Sequence, residues 1–154
     1  MGAVFFYHLT RSPLEALLPV LLGKAQKAGW RVAVRGTSEE RLAWLDEKLW
    51  LGRDEEFLAH GLEGGEFDAD QPILLTTRTG AKNGAACIMA IDGAEVAADE
   101  VAAMQRTCVI FDGNDPQSLE LARGHWKQLT EAGCSAQYWS QDGGKWVMKV
   151  ETDA

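Results

Sequence analysis

Val4-Phe5-Phe6-Tyr7-His8-Leu9, the link Thr10-Arg11-Ser12-Pro13, and then Leu14, Leu17, Leu18, Leu21, Leu22 and Ala25 at helical spacing up to Ala28-Gly29 decide the fold. The apolar, aromatic opening predicts a buried strand. Ser12 is placed to cap a helix with Pro13 at its first position. The leucine stripe predicts an amphipathic helix that tolerates Pro19, packs on a sheet and stops at Gly29. A strand feeding a helix at the very start of a chain is the first half of an α/β unit.

Downstream, Trp30-Arg31-Val32-Ala33-Val34-Arg35 alternates as a second strand. Thr37-Ser38-Glu39-Glu40 then offers a capped start to a helix carrying Leu42, Leu45, Leu49 and Trp50, ended by Gly52. A polar, Gly-rich stretch from Gly52 to Gln71 holds only the short apolar piece Phe57-Leu58-Ala59-His60. Pro72–Thr77, Cys87–Ile91 and Thr107–Phe111 are continuous apolar runs, the pattern of parallel strands covered on both faces. The last two are joined by the Ala-rich, acidic stretch Glu95–Gln105 and each is followed by an aspartate, Asp92 and Asp112. Asn114-Asp115-Pro116 opens a late helix that runs to Ala132 and is closed by Gly133; Ser135–Gln141 and Lys145–Val150 form a hairpin across Asp142-Gly143-Gly144. The expected fold is α/β: one three-layer domain over residues 1–154 with a mostly parallel sheet, nucleotide-binding-like topology without the nucleotide site, and a C-terminal antiparallel hairpin.

The chain has 154 residues, 46% hydrophobic and 25% charged, which suits one globular core. The longest apolar run, Leu14–Leu22, is broken by Glu15 and Pro19 and falls short of the ~18 residues that span a bilayer, so no membrane is expected. Met1–Tyr7 lacks a basic leader and a long apolar region, and reads as a strand rather than a signal peptide. Cys87, Cys108 and Cys134 form an odd set without CxxC spacing, as reduced core residues of a cytoplasmic protein do. A net charge of −8 repels phosphate, so nucleic acid is expected as an indirect partner only.

α/β proteins place their chemistry in the loops at the carboxyl ends of the strands. The link after the first strand has no phosphate-cradling glycines, and Gly143-Gly144-Lys145, the nearest P-loop lookalike, leads into a strand. Asp92 and Asp112 stand where α/β enzymes place acids, so a small nucleotide-dependent enzyme using either is one reading; Asp92-Gly93 and Asp112-Gly113 as plain turns is the preferred one. His8, His60 and His125 share no metal-ligand spacing with each other or with the cysteines, and no Gly-x-Ser-x-Gly elbow exists. No catalytic residue, metal or cofactor is expected.

The late helix says more. Leu119, Ala122, Trp126 and Leu129 form one stripe, while Arg123 and Lys127 lie four apart beside Trp126. Trp126 as a core residue with both cations solvated is one reading. A site for an acidic peptide ending in an apolar residue is the other, the cations pairing with carboxylates and the indole giving apolar contact. Trp50 and Phe57 bracket a second candidate surface, as lids on the core, as anchors for a partner, or as the seam of a structural dimer.

These residues, in their order and spacing, resemble the chi subunit of bacterial DNA polymerase III holoenzyme, the accessory protein of the clamp loader. The resemblance rests on Phe6-Tyr7 with Leu9, Gly29 with Arg31-Val32, Leu45-Asp46 with Leu49-Trp50, Phe57-Leu58 with His60, and Leu121-Ala122-Arg123 with Trp126-Lys127 and Ala132-Gly133. It implies a non-catalytic subunit that binds the C-terminal tail of single-stranded DNA-binding protein through Arg123, Trp126 and Lys127. It also implies that the psi subunit, or an equivalent clamp-loader component, binds at Trp50 and Phe57. The chain departs from the family at Leu119, where well-known members carry a basic residue, at Trp126, where they carry tyrosine, and at Ala59, where proline is common.

Overall fold

A computed structural model of the chain describes residues 3–10, 13–50, 60–64, 68–77, 83–142 and 145–152, with the side chains of Trp50 and Asp142 outside the description. Eight strands form one sheet in the order β3-β4-β2-β5-β6-β1-β7-β8. These are β1 (Ala3–Leu9), β2 (Val32–Arg35), β3 (Gly61–Leu62), β4 (Ile73–Thr76), β5 (Cys87–Ala90), β6 (Arg106–Asp112), β7 (Ser135–Asp142) and β8 (Lys145–Thr152). Every neighbouring pair is parallel except β7 and β8, which form the antiparallel hairpin. The α/β architecture read from the sequence is thus the architecture of the molecule.

Helices cover both faces. On one lie α1 (Leu14–Lys27) and α2 (Glu39–Trp50), whose leucines bury against Val32, Val34, Ile73, Leu75, Met89 and Ile110. On the other lie α3 (Ala98–Ala103) and α4 (Pro116–Glu131), which bury Val101, Ala122 and Leu129 against Val4, Phe6, Ile88, Val109 and Phe111. Strand alternation sorts the two cores: in β1, Val4 and Phe6 face α4, whereas Tyr7 and Leu9 face α1. Burial on both faces explains why the central strands are continuous apolar runs in the sequence.

Local chemistry differs from expectation at several points. Pro13 stands at the N-cap of α1, with φ −75° and ψ 162°, instead of at the first helical position; Ser12 lies outside the described residues. Pro19 is accommodated inside α1. Ser38 does cap α2, its hydroxyl accepting from the Arg41 N–H at 3.3 Å. Gly52, Phe57 and the Gly143-Gly144 turn also lie outside the described residues. The stretch expected to be a plain polar connector contains β3 and a short 3-10 turn, Asp68–Asp70, and the acidic link Glu95–Gln105 contains α3.

One buried ion pair ties α3 to the sheet. Arg35, 2% exposed at the end of β2, meets Glu100 through two bonds of 2.9 and 2.7 Å and donates to the Glu95 carbonyl at 3.1 Å. Glu100 also accepts the Ala97 N–H at the start of α3. The bidentate geometry offsets much of the desolvation that a buried guanidinium suffers.

Candidate peptide-binding site

α4 begins at Pro116 after Asp115, whose carboxylate accepts from the Ser118 hydroxyl at 2.7 Å. Its inward stripe is the one read from the sequence: Ala122 and Leu129 are buried, and Leu119 and Trp126 pack half-buried against the core. The Trp126 indole meets Phe6 edge-on at 5.3 Å between ring centroids and Tyr138 of β7 at 5.9 Å. Trp126 is therefore a core-edge residue and a surface residue at once, with its inner edge fixed by two rings.

Tyr138 extends this aromatic ledge to His8, whose Nδ1 stands 2.7 Å from the phenolic oxygen. The His8 ring also packs on Phe111 at 5.1 Å. Beside it Gly113 leaves room that no other residue could: a Cβ there would lie 1.7 Å from His8 Nε2. Parallel pairing of β1 with β7, Phe6 opposite Tyr138, brings together residues about 130 positions apart.

Arg123 stands on the solvent side of this ledge. Its side chain is 66% exposed and, among the described residues, pairs with Glu120, one turn back, at 3.3 Å, an exposed pair of little strength. Its charge nevertheless reaches inward. Burial pushes the His8 imidazole below its ordinary value, with Asp112 opposing and Arg123 adding to the shift. Burial likewise raises the Tyr138 phenol, and Arg123 pulls it back. Lys127 is exposed one turn further along. Two cations thus border half-buried rings whose polar atoms are held in place: an anion can pair at the rim while an apolar group rests on the ledge.

From the sequence, His8 is weighed only as a metal ligand and Tyr138 is not singled out at all. The usable signal was faint: in Val4-Phe6-His8 and Ala136-Tyr138, an inward apolar row ends in a side chain able to hydrogen-bond.

The carboxyl ends of β1 and β6 border a cleft of about 430 Å³, at the place where nucleotide-binding sheets hold their ligand. Two of the acids that line it, Asp92 and Asp112, are engaged by the protein itself. Asp92 takes Arg41 at 3.1 and 3.4 Å while Asp92 and Gly93, at φ 53° and 83°, make a tight turn closed by Ala94 N–H to Ile91 carbonyl. The Asp112 carboxylate accepts the Asn114 N–H at 2.9 Å, and Asn114 donates onward to the Thr10 carbonyl at 2.8 Å.

The second candidate surface is only partly in view. Trp50 ends α2, and Phe57 lies outside the described residues. Next to it, however, His60 has a fully buried side chain with Nε2 3.1 Å from Asp46 Oδ1 and 3.3 Å from the Asp46 carbonyl. The aspartate of the Leu45-Asp46 pair and the histidine after Phe57 therefore clamp the chain to α2 on the far side of residues 51–59.

No helix among the described residues is long and apolar enough to cross a membrane. No curated protein matches the chain in sequence. The family model described as DNA polymerase III chi subunit, HolC, matches residues 1–137, from β1 through α4 and into β7. The chain belongs to the DNA polymerase III chi subunit family, and its role is that of an accessory subunit in DNA replication.

Proposed function

We propose that the chain is a non-catalytic docking subunit that binds the acidic C-terminal tail of single-stranded DNA-binding protein and links it to the clamp loader in the cytoplasm. The observation that carries this reading is the exposed Arg123, one turn before Trp126 on α4, beside the fixed Trp126–Tyr138–His8 ledge. Tail carboxylates pair with Arg123 and Lys127, and the apolar terminal residue lies against Trp126 and Tyr138. The psi subunit, or an equivalent clamp-loader component, binds the end of α2 near Trp50 and Phe57. Engagement of Asp92 and Asp112 within turns favours this reading over an enzyme using either acid.

Each exposed cation contributes about 0.5–1 kcal/mol, and binding weakens with salt because both pairs are screened. Calorimetric titration with an acidic peptide ending in Asp-Ile-Pro-Phe, against the same peptide without the Phe, tests the reading. Expected are micromolar binding, its loss with the Phe, and a weakening of about five-fold in Arg123→Ala, about 1 kcal/mol. Full affinity in Arg123→Ala, with the fold intact, refutes the site.

A further inference from the structure

The opposite face of the sheet carries a second concave surface that the tail site does not use. Where α1 leaves β1, β7 and β8 uncovered there is a groove of about 450 Å³, within the size range of sites that bury a ligand group. Tyr7 and Trp146 meet edge-on there at 5.5 Å, and Trp139 lines the same wall with its indole N–H held by Gln137 at 3.0 Å. Trp139 and Trp146 lie beyond residue 137, where the match to the family model ends.

Two cations border these rings. Arg106 lies with its guanidinium 4.3 Å from the Phe5 ring centroid and 5.4 Å from that of Trp30, so its flat faces are occupied while its N–H edge keeps its donors. Lys24, exposed on α1, lines the opposite side. Neither has a carboxylate partner among the described residues, in a chain where 23 acidic residues outnumber 15 basic ones. Aromatic walls with two unpaired cations are complementary to an apolar group that carries negative charge beside it. A polyanion is a poorer fit, because two cations cannot offset a run of phosphates against a net charge of −8.

We infer that this groove is a second protein-docking site, which takes a large apolar side chain from an acidic segment of a partner, with Arg106 and Lys24 pairing with the flanking carboxylates. Arg106 and Lys24 set the preference for acid, and Tyr7, Trp139 and Trp146 hold the side chain. The site is independent of the tail site, which lies on the α4 face.

The test is titration of the full chain with an N-acetylated, C-amidated pentapeptide, Asp-Asp-Phe-Asp-Asp, read by the indole N–H resonances of Trp139 and Trp146. With its Phe internal and its C-terminus amidated, the peptide lacks the apolar terminal residue that the proposed tail site takes. Expected are shifts of both indoles, at least five-fold weaker binding in Lys24→Glu, at least ten-fold weaker binding in Arg106→Gln, and unchanged binding in Arg123→Ala. Lys24 is exposed, so its variant keeps the fold and the test stands even if Arg106→Gln does not. The inference is overturned if the indoles do not shift, if a peptide with Lys in place of Asp binds equally well, if an oligo-dT of similar length binds more tightly, or if sedimentation shows the groove closed by a second copy. Failure of the tail site in Arg123→Ala leaves this readout untouched, so the two readings fail separately.

Discussion

Replacing Gly113 by Ala isolates the contact on which the aromatic ledge depends. The new methyl would start 1.7 Å from His8 Nε2 and 1.9 Å from Cδ2, against an ordinary contact of at least 3.4 Å. The backbone is no obstacle, since Gly113 is not among the glycines of positive φ. The ring must therefore retreat, and its retreat breaks the 2.7 Å contact with the Tyr138 hydroxyl. Losing that hydrogen bond costs about 1 kcal/mol, and the overpacking about 1–3 kcal/mol. The smaller backbone entropy of Ala in the unfolded chain returns about 0.4–1 kcal/mol. The net expectation is a destabilisation of about 1–3.5 kcal/mol by urea denaturation, summing these contributions. The decisive control is the same substitution in a His8→Ala background, where the space is already open and the cost should vanish or turn slightly favourable. An equal penalty in both backgrounds would refute the reasoning, because the strain would then lie in the β6–α4 turn and not in the His8 ring.

Other consequences are equally direct. Glu100→Ala strands the buried Arg35 guanidinium and should destabilise the fold by about 3 kcal/mol, whereas a cost below about 1 kcal/mol would mean that water reaches Arg35. Burial holds the imidazoles of His8 and His125 below 6.5, so between that value and their folded values the unfolded chain binds more protons. Stability should therefore be fully present above pH 6.5 and fall as pH drops below it, and a His8→Gln/His125→Gln variant should show a flatter profile; an unchanged slope would reject the assignment. His60→Ala removes the clamp on Asp46 and should cost about 2 kcal/mol while weakening a psi-type partner more than the tail peptide, as paired pull-downs can compare.

How much of this was readable in advance followed from how each element is stabilised. β4, β5 and β6 bury both faces, so each announces itself as a continuous apolar run; β2, buried throughout as well, shows instead as an alternating strand, and α1 and α4 carry long stripes at helical spacing. α3 gave no such signal: with six residues and one buried side chain, Val101, it has no periodicity to detect, and the buried Arg35–Glu100 pair helps hold it. β3 is two residues long and exists through pairing with β4, a tertiary fact absent from its own composition. The site divides in the same way. Arg123, Trp126 and Lys127 share one helix, so their spacing alone puts them together. His8 and Tyr138 become neighbours only through the β1–β7 ladder, and strand alternation tells which face a side chain takes but not which strand lies beside it.

The carboxyl-end cleft shows why retaining a topology does not retain its chemistry. In dinucleotide-binding sheets the turn after the first strand keeps backbone N–H groups free at a helix N-terminus to hold phosphate. Here α1 opens with Pro13 at its N-cap, and proline has no N–H to offer. The Gly113 N–H is already given to the Leu9 carbonyl at 2.8 Å, the Asn114 N–H to Asp112, and the Arg41 guanidinium both to Asp92 and to the Trp44 ring at 4.3 Å. A phosphate entering the cleft would meet donors at Gly113, Asn114 and Arg41 that are already bonded within the protein, and would face Glu15, Asp92 and Asp112 on the lining. Arg123, by contrast, has only an exposed partner one turn away, which a carboxylate of a docking peptide can replace at little cost. On the proposed reading, binding falls to the outer face of α4, where a peptide carboxylate would exchange with the exposed Glu120 without any rearrangement of the sheet.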